Sequence, residues 1–244
     1  MNQPGKLHPM SAAIREIAAI FGRMGFGVAH GPELESDWYN FTALNVPENH
    51  PARDMQDTFW MMPKEDGTRD VLRTHTTSVT ARELEKLAKA GKTEGRMIIP
   101  GKVFRNESTD MTHEAQFYQL DGFAVGPVGT VTLAHLKGTL ERFYREFLGP
   151  TSKIRFRPSF FGFTEPSVEI DAWFEAPGKE GKWLEMNGGG MLHPSVIRAA
   201  GLDPEVVGGY AFGGGIERFM MVKHGITDVR LFHNGDIRFV HAFE

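Results

Sequence analysis

The chain has 244 residues, 41% of them hydrophobic, with 28 glycines, 14 prolines, no cysteine and a formal net charge of −4. Such a length makes one large domain or two small ones, and the composition is that of a soluble, turn-rich α/β or α+β enzyme. Absence of cysteine excludes disulfides and thiolate metal sites and fits a reducing cytoplasm. No apolar run reaches the ~18 residues of a membrane span, the N-terminus lacks the apolar region of a signal peptide, and the negative charge makes the chain alone a poor nucleic-acid binder.

Residues 1–10 read as an extended lead-in. Ser11 suits the N-cap of a helix whose apolar positions Ile14, Ile17, Ala18 and Phe21 recur at helical spacing, with Gly22 or Gly25 able to end it. Phe26–His30 reads as a short strand. Residues 31–60 are too rich in turn formers for regular structure. A loop of that length is either a surface excursion fixed by Trp38, Tyr39 and Phe41 or a functional or partner-facing segment. Thr58–Met62 and Asp70–Arg73 read as short strands about a turn at Lys64–Arg69. His75 then stands at a strand end, before a helix over roughly Val79–Lys89. Thr77 or Ser78 there can act as caps, and His75 beside hydroxyls also suits a ligand-facing cluster.

Gly101–Val125 reads as two strands joined by a long polar loop, Ser108–Gln116. Arg105 and Glu107, two apart, share a face of the first strand; Phe117, Gln119 and Asp121 share a face of the second. This set suits a site that holds a phosphate with Arg, stacks an aromatic on a base and reads an amine with Gln and Asp. A solvent-facing sheet with a salt bridge would give the same pattern. Leu133, Leu136, Leu140, Phe143 and Phe147 then predict an amphipathic helix closed by Gly149-Pro150.

Ile154–Phe156 reads as a strand. Phe161, Phe163 and Glu165 share one face if extended, as core filling or as the wall of an aromatic-ligand pocket. Val168–Phe174 and Lys182–Met186 form a strand pair around a loop at 175–181. Gly188–Gly190 read as a loop into a helix. A short strand at Tyr210–Phe212 meets Gly213–Gly215 and a helix carrying Glu217 and Arg218. Glycines there permit close approach of backbone to a ligand, and an Arg in the first helical turn can reach a phosphate; an ordinary tight turn reads the same way.

Three ordered signals resemble the motifs of class II aminoacyl-tRNA synthetases: the opening helix and strand motif 1, the F-R-x-E hairpin motif 2, and G-G-G-I-E-R motif 3. LNVPENHPARDMQDTF, LRTHT, THEAQFYQLDG, RFRPSFFGFTEPS, WLEMNGGGMLHP, GGYAFGGGIER and NGDIRF resemble the α subunits of bacterial phenylalanyl-tRNA synthetases, over almost the whole chain from about Gly5. The resemblance implies an α+β fold with an antiparallel sheet flanked by helices, and one catalytic domain over 1–244. It implies ATP-dependent activation of phenylalanine to its adenylate and transfer to tRNA(Phe). Arg105 would contact the ATP α-phosphate and Arg218 the terminal phosphate, as the catalytic pair. Phe117 would stack on adenine, with Glu107 and His113 beside the nucleotide. Glu165 matches the Mg2+ ligand. His75, Thr77, Gln119 and Asp121 match positions around the substrate ammonium, Phe161 and Phe163 the aromatic pair against its ring, and Ala211, with Gly213 beyond it, the pocket floor.

The sequence departs from that family at Gly162, where Pro is usual, and at Thr77, Thr80, Asp121 and Gly214. These changes touch the amino-acid pocket more than the ATP site. The family's N-terminal helical arm, which binds tRNA, is expected to be absent, leaving weak tRNA affinity. The implied partners are a β subunit in an α2β2 assembly, with residues 31–60 and 133–147 as candidate contacts, or a homodimer of the isolated domain. Two other readings remain: a paralogue that activates an amino acid for a non-tRNA acceptor, and a non-catalytic synthetase-like binding or regulatory module.

Overall fold

The computed structural model describes residues 7–53, 58–175, 178 and 180–243. Parts of three expected segments lie outside the described residues: 1–6 of the lead-in, 54–57 of the 31–60 stretch, and 176, 177 and 179 of the 175–181 loop. Seven strands form the main sheet. They are β1 (Gly27–Val28), β4 (Gly95–Phe104), β5 (Gln116–Pro127), β6 (Ile154–Phe161), β7 (Thr164–Phe174), β8 (Lys182–Leu192) and β9 (Val207–Gly215). Their order is β1-β4-β5-β9-β8-β7-β6. Only β1 runs parallel to its neighbour; every other pairing is antiparallel. A two-stranded sheet pairs β2 (Leu34–Ser36) with β3 (Asp70–Leu72).

Side-chain alternation divides the main sheet into two faces. Ile98, Leu120, Ala124, Tyr210 and Phe212 point to the back, into a core with α1 (Pro9–Gly22), α4 (Leu133–Phe147) and α6 (Ile216–His224). Their neighbours Ile99, Phe123, Val125 and Ala211 point to the front, into a second core with α3 (Thr77–Lys89) and α5 (Pro194–Ala199). On β5 the front-facing positions pass from Val125 and Phe123, within this second core, to Asp121, Gln119 and Phe117. A polar site therefore begins where the helical cover stops.

Several boundaries differ from the sequence-based expectation. Helix α1 starts at Pro9, and His8 caps it by accepting from the Met10 N–H. Proline tolerates this first position because its N–H would have no helical partner anyway, so Ser11 lies inside the helix. The stretch 31–60 is more ordered than its composition predicts. It holds β2, α2 (Asp37–Asn40) and short 3-10 turns at Thr42–Leu44 and Pro51–Arg53. The apolar stripe of α4 is used within the chain, with Leu136, Leu140, Phe143 and Phe147 buried, which leaves only its polar side for a subunit contact. Gly188–Gly190 and Gly213–Gly215 lie inside β8 and β9 and none has positive φ, so neither run is a turn. No described helix is long and apolar enough to cross a membrane.

Candidate active site

A cavity of about 610 Å³ opens on the front face, between β5, β8 and β9 and the segment that follows β4. Its inner end is built on β5. Asp121 is 1% exposed. Its Oδ2 accepts from the Thr77 hydroxyl, at the start of α3. Thr77 is therefore engaged with the site and is not a helix cap. Asp121 Oδ1 and Gln119 Oε1 have no hydrogen-bond partner. Both residues line the cavity, and two buried, unpaired acceptors are costly unless a donor reaches them. Burial pushes the Asp121 carboxyl up to about 7, against the opposing pull of Thr77, Thr76, Arg105 and Arg73. His75 is pushed down to about 4, by burial first and then by the positive charge of Arg105, so it stays neutral. Buried Asn40 fixes the turn that carries it, donating to Thr74 Oγ1 at 3.1 Å and accepting from the Thr74 N–H at 3.2 Å.

Two glycines make the inner end possible. A Cβ on Gly213 would stand 2.2 Å from Asp121 Oδ1, and a Cβ on Gly188 would stand 2.6 Å from the tip of the Phe161 ring. Asp121 cannot retreat, because it is buried and hydrogen-bonded to Thr77. Gly213→Ala is expected to destabilise the fold by about 1–3 kcal/mol, the scale of an overpacked site that cannot relax. Denaturant unfolding of the variant checks this. Phe161 and Phe163 form one wall, with ring centroids 5.9 Å apart and planes at 15°. Ala211 lines the same end.

The outer end carries charge. Strand β4 stops at Phe104, so Arg105 and Glu107 lie in the irregular segment beyond it and not on the expected strand. Both still line the cavity. The Arg105 Nε donates to Thr74 O at 3.2 Å, and its guanidinium lies 5.1 Å from the Phe117 ring centre, within cation–π range. His113 is fixed beside them by Asp110, whose two oxygens are each 3.1 Å from Nδ1. Across the cavity, Arg218 in the first turn of α6 donates to Glu185 O at 3.1 Å.

The neighbouring Glu217 is 2% exposed. Strand β9 ends at Gly215, opposite Gln119, so Tyr118 has no strand partner on that side. Glu217 takes the Tyr118 N–H with both oxygens, at 2.8 and 3.0 Å, and His233 Nε2 lies 3.2 Å from Oε1. Burial pushes the Glu217 carboxyl up. This contact locks the strand bearing Phe117 and Gln119 to the helix bearing Arg218.

A family model for tRNA synthetases class II core domain (F) matches residues 1–243. The chain belongs to this family. The phenylalanine–tRNA ligase alpha subunits of Brucella suis and Aromatoleum aromaticum are 47% and 49% identical to it, over 98% of this chain and 67% and 70% of those proteins. The crystal structure of pyrrolysyl-tRNA synthetase from Desulfitobacterium hafniense shares the fold, with a TM-score of 0.70 over 93% of this chain and 73% of that one at 15% identity. The α+β class II synthetase core, an antiparallel sheet flanked by helices, is therefore the fold of this chain.

Of the sequence-derived site residues, all but one line the cavity: His75, Thr77, Arg105, Glu107, His113, Phe117, Gln119, Asp121, Phe161, Phe163, Ala211, Gly213 and Arg218. Glu165 does not. Its side chain is 71% exposed, with its carboxylate 3.8 Å from His193 Nε2. The expected shared face with Phe161 and Phe163 assumed an extended chain, but Gly162 and Phe163 form the turn between β6 and β7, and the reversal carries Glu165 away. Glu185 of β8 stands at the cavity instead, its carboxyl pushed up by partial burial and by nearby Glu169. Its sequence signal was an acidic residue in a strand with apolar neighbours, Leu184 and Met186, just before a glycine run.

Proposed function

We propose that this cavity activates L-phenylalanine with ATP to give phenylalanyl-adenylate and passes the aminoacyl group to tRNA(Phe), as the catalytic α subunit of a phenylalanine–tRNA ligase working with a β subunit. The carrying observation is the pair of unpaired buried acceptors, Asp121 Oδ1 and Gln119 Oε1, beside an aromatic wall. A free amino acid with an apolar aromatic side chain supplies what each half lacks: an ammonium for the acceptors and a phenyl ring for Phe161, Phe163 and the space over Ala211. The relatives' names point to the same substrate.

The chemistry needs no protein nucleophile. The amino-acid carboxylate attacks the ATP α-phosphorus in line, forming the acyl–phosphate bond as the bond to pyrophosphate breaks. Arg105 and Arg218 neutralise charge on the phosphates, and Phe117 offers its face to the base. A terminal hydroxyl of the tRNA then attacks the adenylate carbonyl, and AMP leaves. Magnesium ions of the kind ATP carries are bound by one or two carboxylates together with phosphate oxygens. Glu185, at the cavity, would fit that role; Glu165 lies outside the cavity with its carboxylate exposed. The ion would add positive charge at the leaving pyrophosphate.

Tyrosine would bury its hydroxyl against an apolar wall, costing roughly 1–3 kcal/mol. Amino-acid-dependent ATP–pyrophosphate exchange by the purified chain, with and without a β subunit, tests the reading. Phenylalanine is expected to support exchange, with tyrosine roughly 5- to 150-fold poorer in kcat/KM on that energy scale. Silence with every amino acid, with the β subunit present, would sink it.

A further inference from the structure

Gly162 stands between the two wall phenylalanines, and nothing in its own chemistry fixes it. It has no side chain, and its φ is not positive, so no left-handed backbone demands a glycine there. A glycine in that position leaves a turn more conformational freedom than any other residue would. The wall nevertheless has one defined geometry, so its rigidity has to come from outside the turn.

Three contacts brace it. The Phe161 N–H donates to Ser167 Oγ at 3.1 Å, and Phe163 O accepts from the His193 N–H at 3.0 Å. Both act at the ends of the turn. At its apex, Gly162 O accepts from Asn45 Nδ2 at 2.6 Å, across 117 positions of sequence.

Asn45 is itself held in an unusual state. With φ 60° and ψ 30° it is the one non-glycine residue with positive φ among the described residues. It ends the 3-10 turn at Thr42–Leu44, where its N–H donates to Thr42 O at 3.1 Å and the Val46 N–H donates to Phe41 O at 3.1 Å. Arg53 ties this segment down, donating to Val46 O at 2.5 Å and to Asp37. Leu44 and Ala43 are buried in the front core with Ala211, and Phe163 packs on that core. A left-handed asparagine persists where surrounding structure over-determines it, and such residues gather at ligand-binding elements. Here the left-handed turn aims the side-chain amide at the wall.

We propose that Asn45 is a specificity-setting positioning residue of the amino-acid pocket, its amide holding the Gly162 carbonyl and through it the spacing of Phe161 and Phe163. The inference rests on the reading of the cavity as a phenylalanine-activating site. Asn45 does not line the cavity, so its effect passes through the wall alone. The ATP end is built from other elements and is left undisturbed.

Two variants separate side chain from backbone. Asn45→Asp keeps the shape and tolerates the left-handed backbone, but turns the donor into a second acceptor facing a carbonyl oxygen. Asn45→Gly keeps the backbone conformation and removes the amide. In pyrophosphate exchange both are expected to raise the KM for phenylalanine about tenfold, the scale of one hydrogen bond lost, with Asp the worse. The KM for ATP should move less than about twofold, and discrimination against tyrosine should narrow. NMR of the Phe161 and Phe163 ring signals reads the wall without any ligand, and both variants are expected to shift or broaden them.

Unchanged phenylalanine KM, unchanged selectivity and unchanged ring signals in Asn45→Asp would overturn the proposal. So would parallel changes in both KM values, which mark a general loss of structure. A wild-type chain that neither binds nor activates phenylalanine, while Asn45→Asp still perturbs the rings, would reject the substrate assignment and uphold the positioning role.

Discussion

Replacing Arg105 with alanine is expected to cut phenylalanine-dependent pyrophosphate exchange by about 10²- to 10³-fold in kcat, the loss typical of removing one preorganised donor from developing charge. Phenylalanine binding should change far less. The guanidinium is preorganised by the Thr74 carbonyl at 3.2 Å and the Phe117 ring at 5.1 Å, so little reorganisation is needed when a phosphate arrives. Arg105→Lys should recover only a small part of the rate, because a point charge cannot present two parallel N–H donors to a phosphate. A second consequence follows from the field at the inner end. The positive charge of Arg105 helps hold the Asp121 carboxyl down and also depresses His75. Its removal should move the midpoint for amino-acid binding to higher pH in the same variant. Exchange kinetics over a pH series read both effects, and exchange by Arg105→Ala within threefold of wild type would exclude Arg105 from the chemistry.

The legible parts of this molecule are those where a period runs unbroken. Phe117, Gln119 and Asp121 fall on one face because β5 stays extended through all of them, and alternation carries that information directly. The stripe of α4 is legible for the same reason at the helical period. Alternation continued through Gly162 and Phe163 misplaces Glu165, because the chain turns back at those two residues and the period breaks there. Local pattern reads Gly188–Gly190 as a loop, wrongly, and leaves Gly213–Gly215 open between a tight turn and close approach, because glycine serves both turns and close packing; only the neighbours, Phe161 for Gly188 and Asp121 for Gly213, show which. Glu217 was visible as an acidic residue in a first helical turn, yet its bond to the Tyr118 N–H spans 99 positions and no local pattern encodes it. The order in residues 31–60 was hidden likewise. Asn40, Asn45 and Arg53 are turn formers and polar residues by composition, and they act as anchors only through distant partners such as Thr74 and Gly162.

On the proposed reading, phenylalanine binding is expected to weaken as the pH falls through about 7, because the substrate ammonium would pair with ionised Asp121 and burial pushes that carboxyl up to about 7. Below this point each pH unit should cost about tenfold in Kd, so binding at pH 6 should be about tenfold weaker than at pH 8. Binding near and below pH 7 should release a proton, since the incoming cation favours the carboxylate. Stability of the ligand-free chain runs the opposite way. A carboxyl with a raised folded-state pKa binds more protons in the folded state than in the unfolded one. Its contribution is full below the ordinary carboxylate range and is lost as pH rises through about 7. Acidification from pH 8 towards 5 should therefore stabilise this group's share of the free chain while weakening its ligand. Asp121→Asn removes both trends and leaves phenylalanine bound on the order of 10- to 100-fold more weakly at pH 8, the range for a hydrogen bond to a charged group. Thr77→Val takes away the donor that favours the carboxylate and should move the midpoint upward without abolishing it. Calorimetry in two buffers of different ionisation heat measures the Kd and the proton count together. A Kd that is flat from pH 6 to 8 with no proton released would mean that no group titrating in this range is coupled to the ligand, which would remove an Asp121 of raised pKa from recognition of the ammonium.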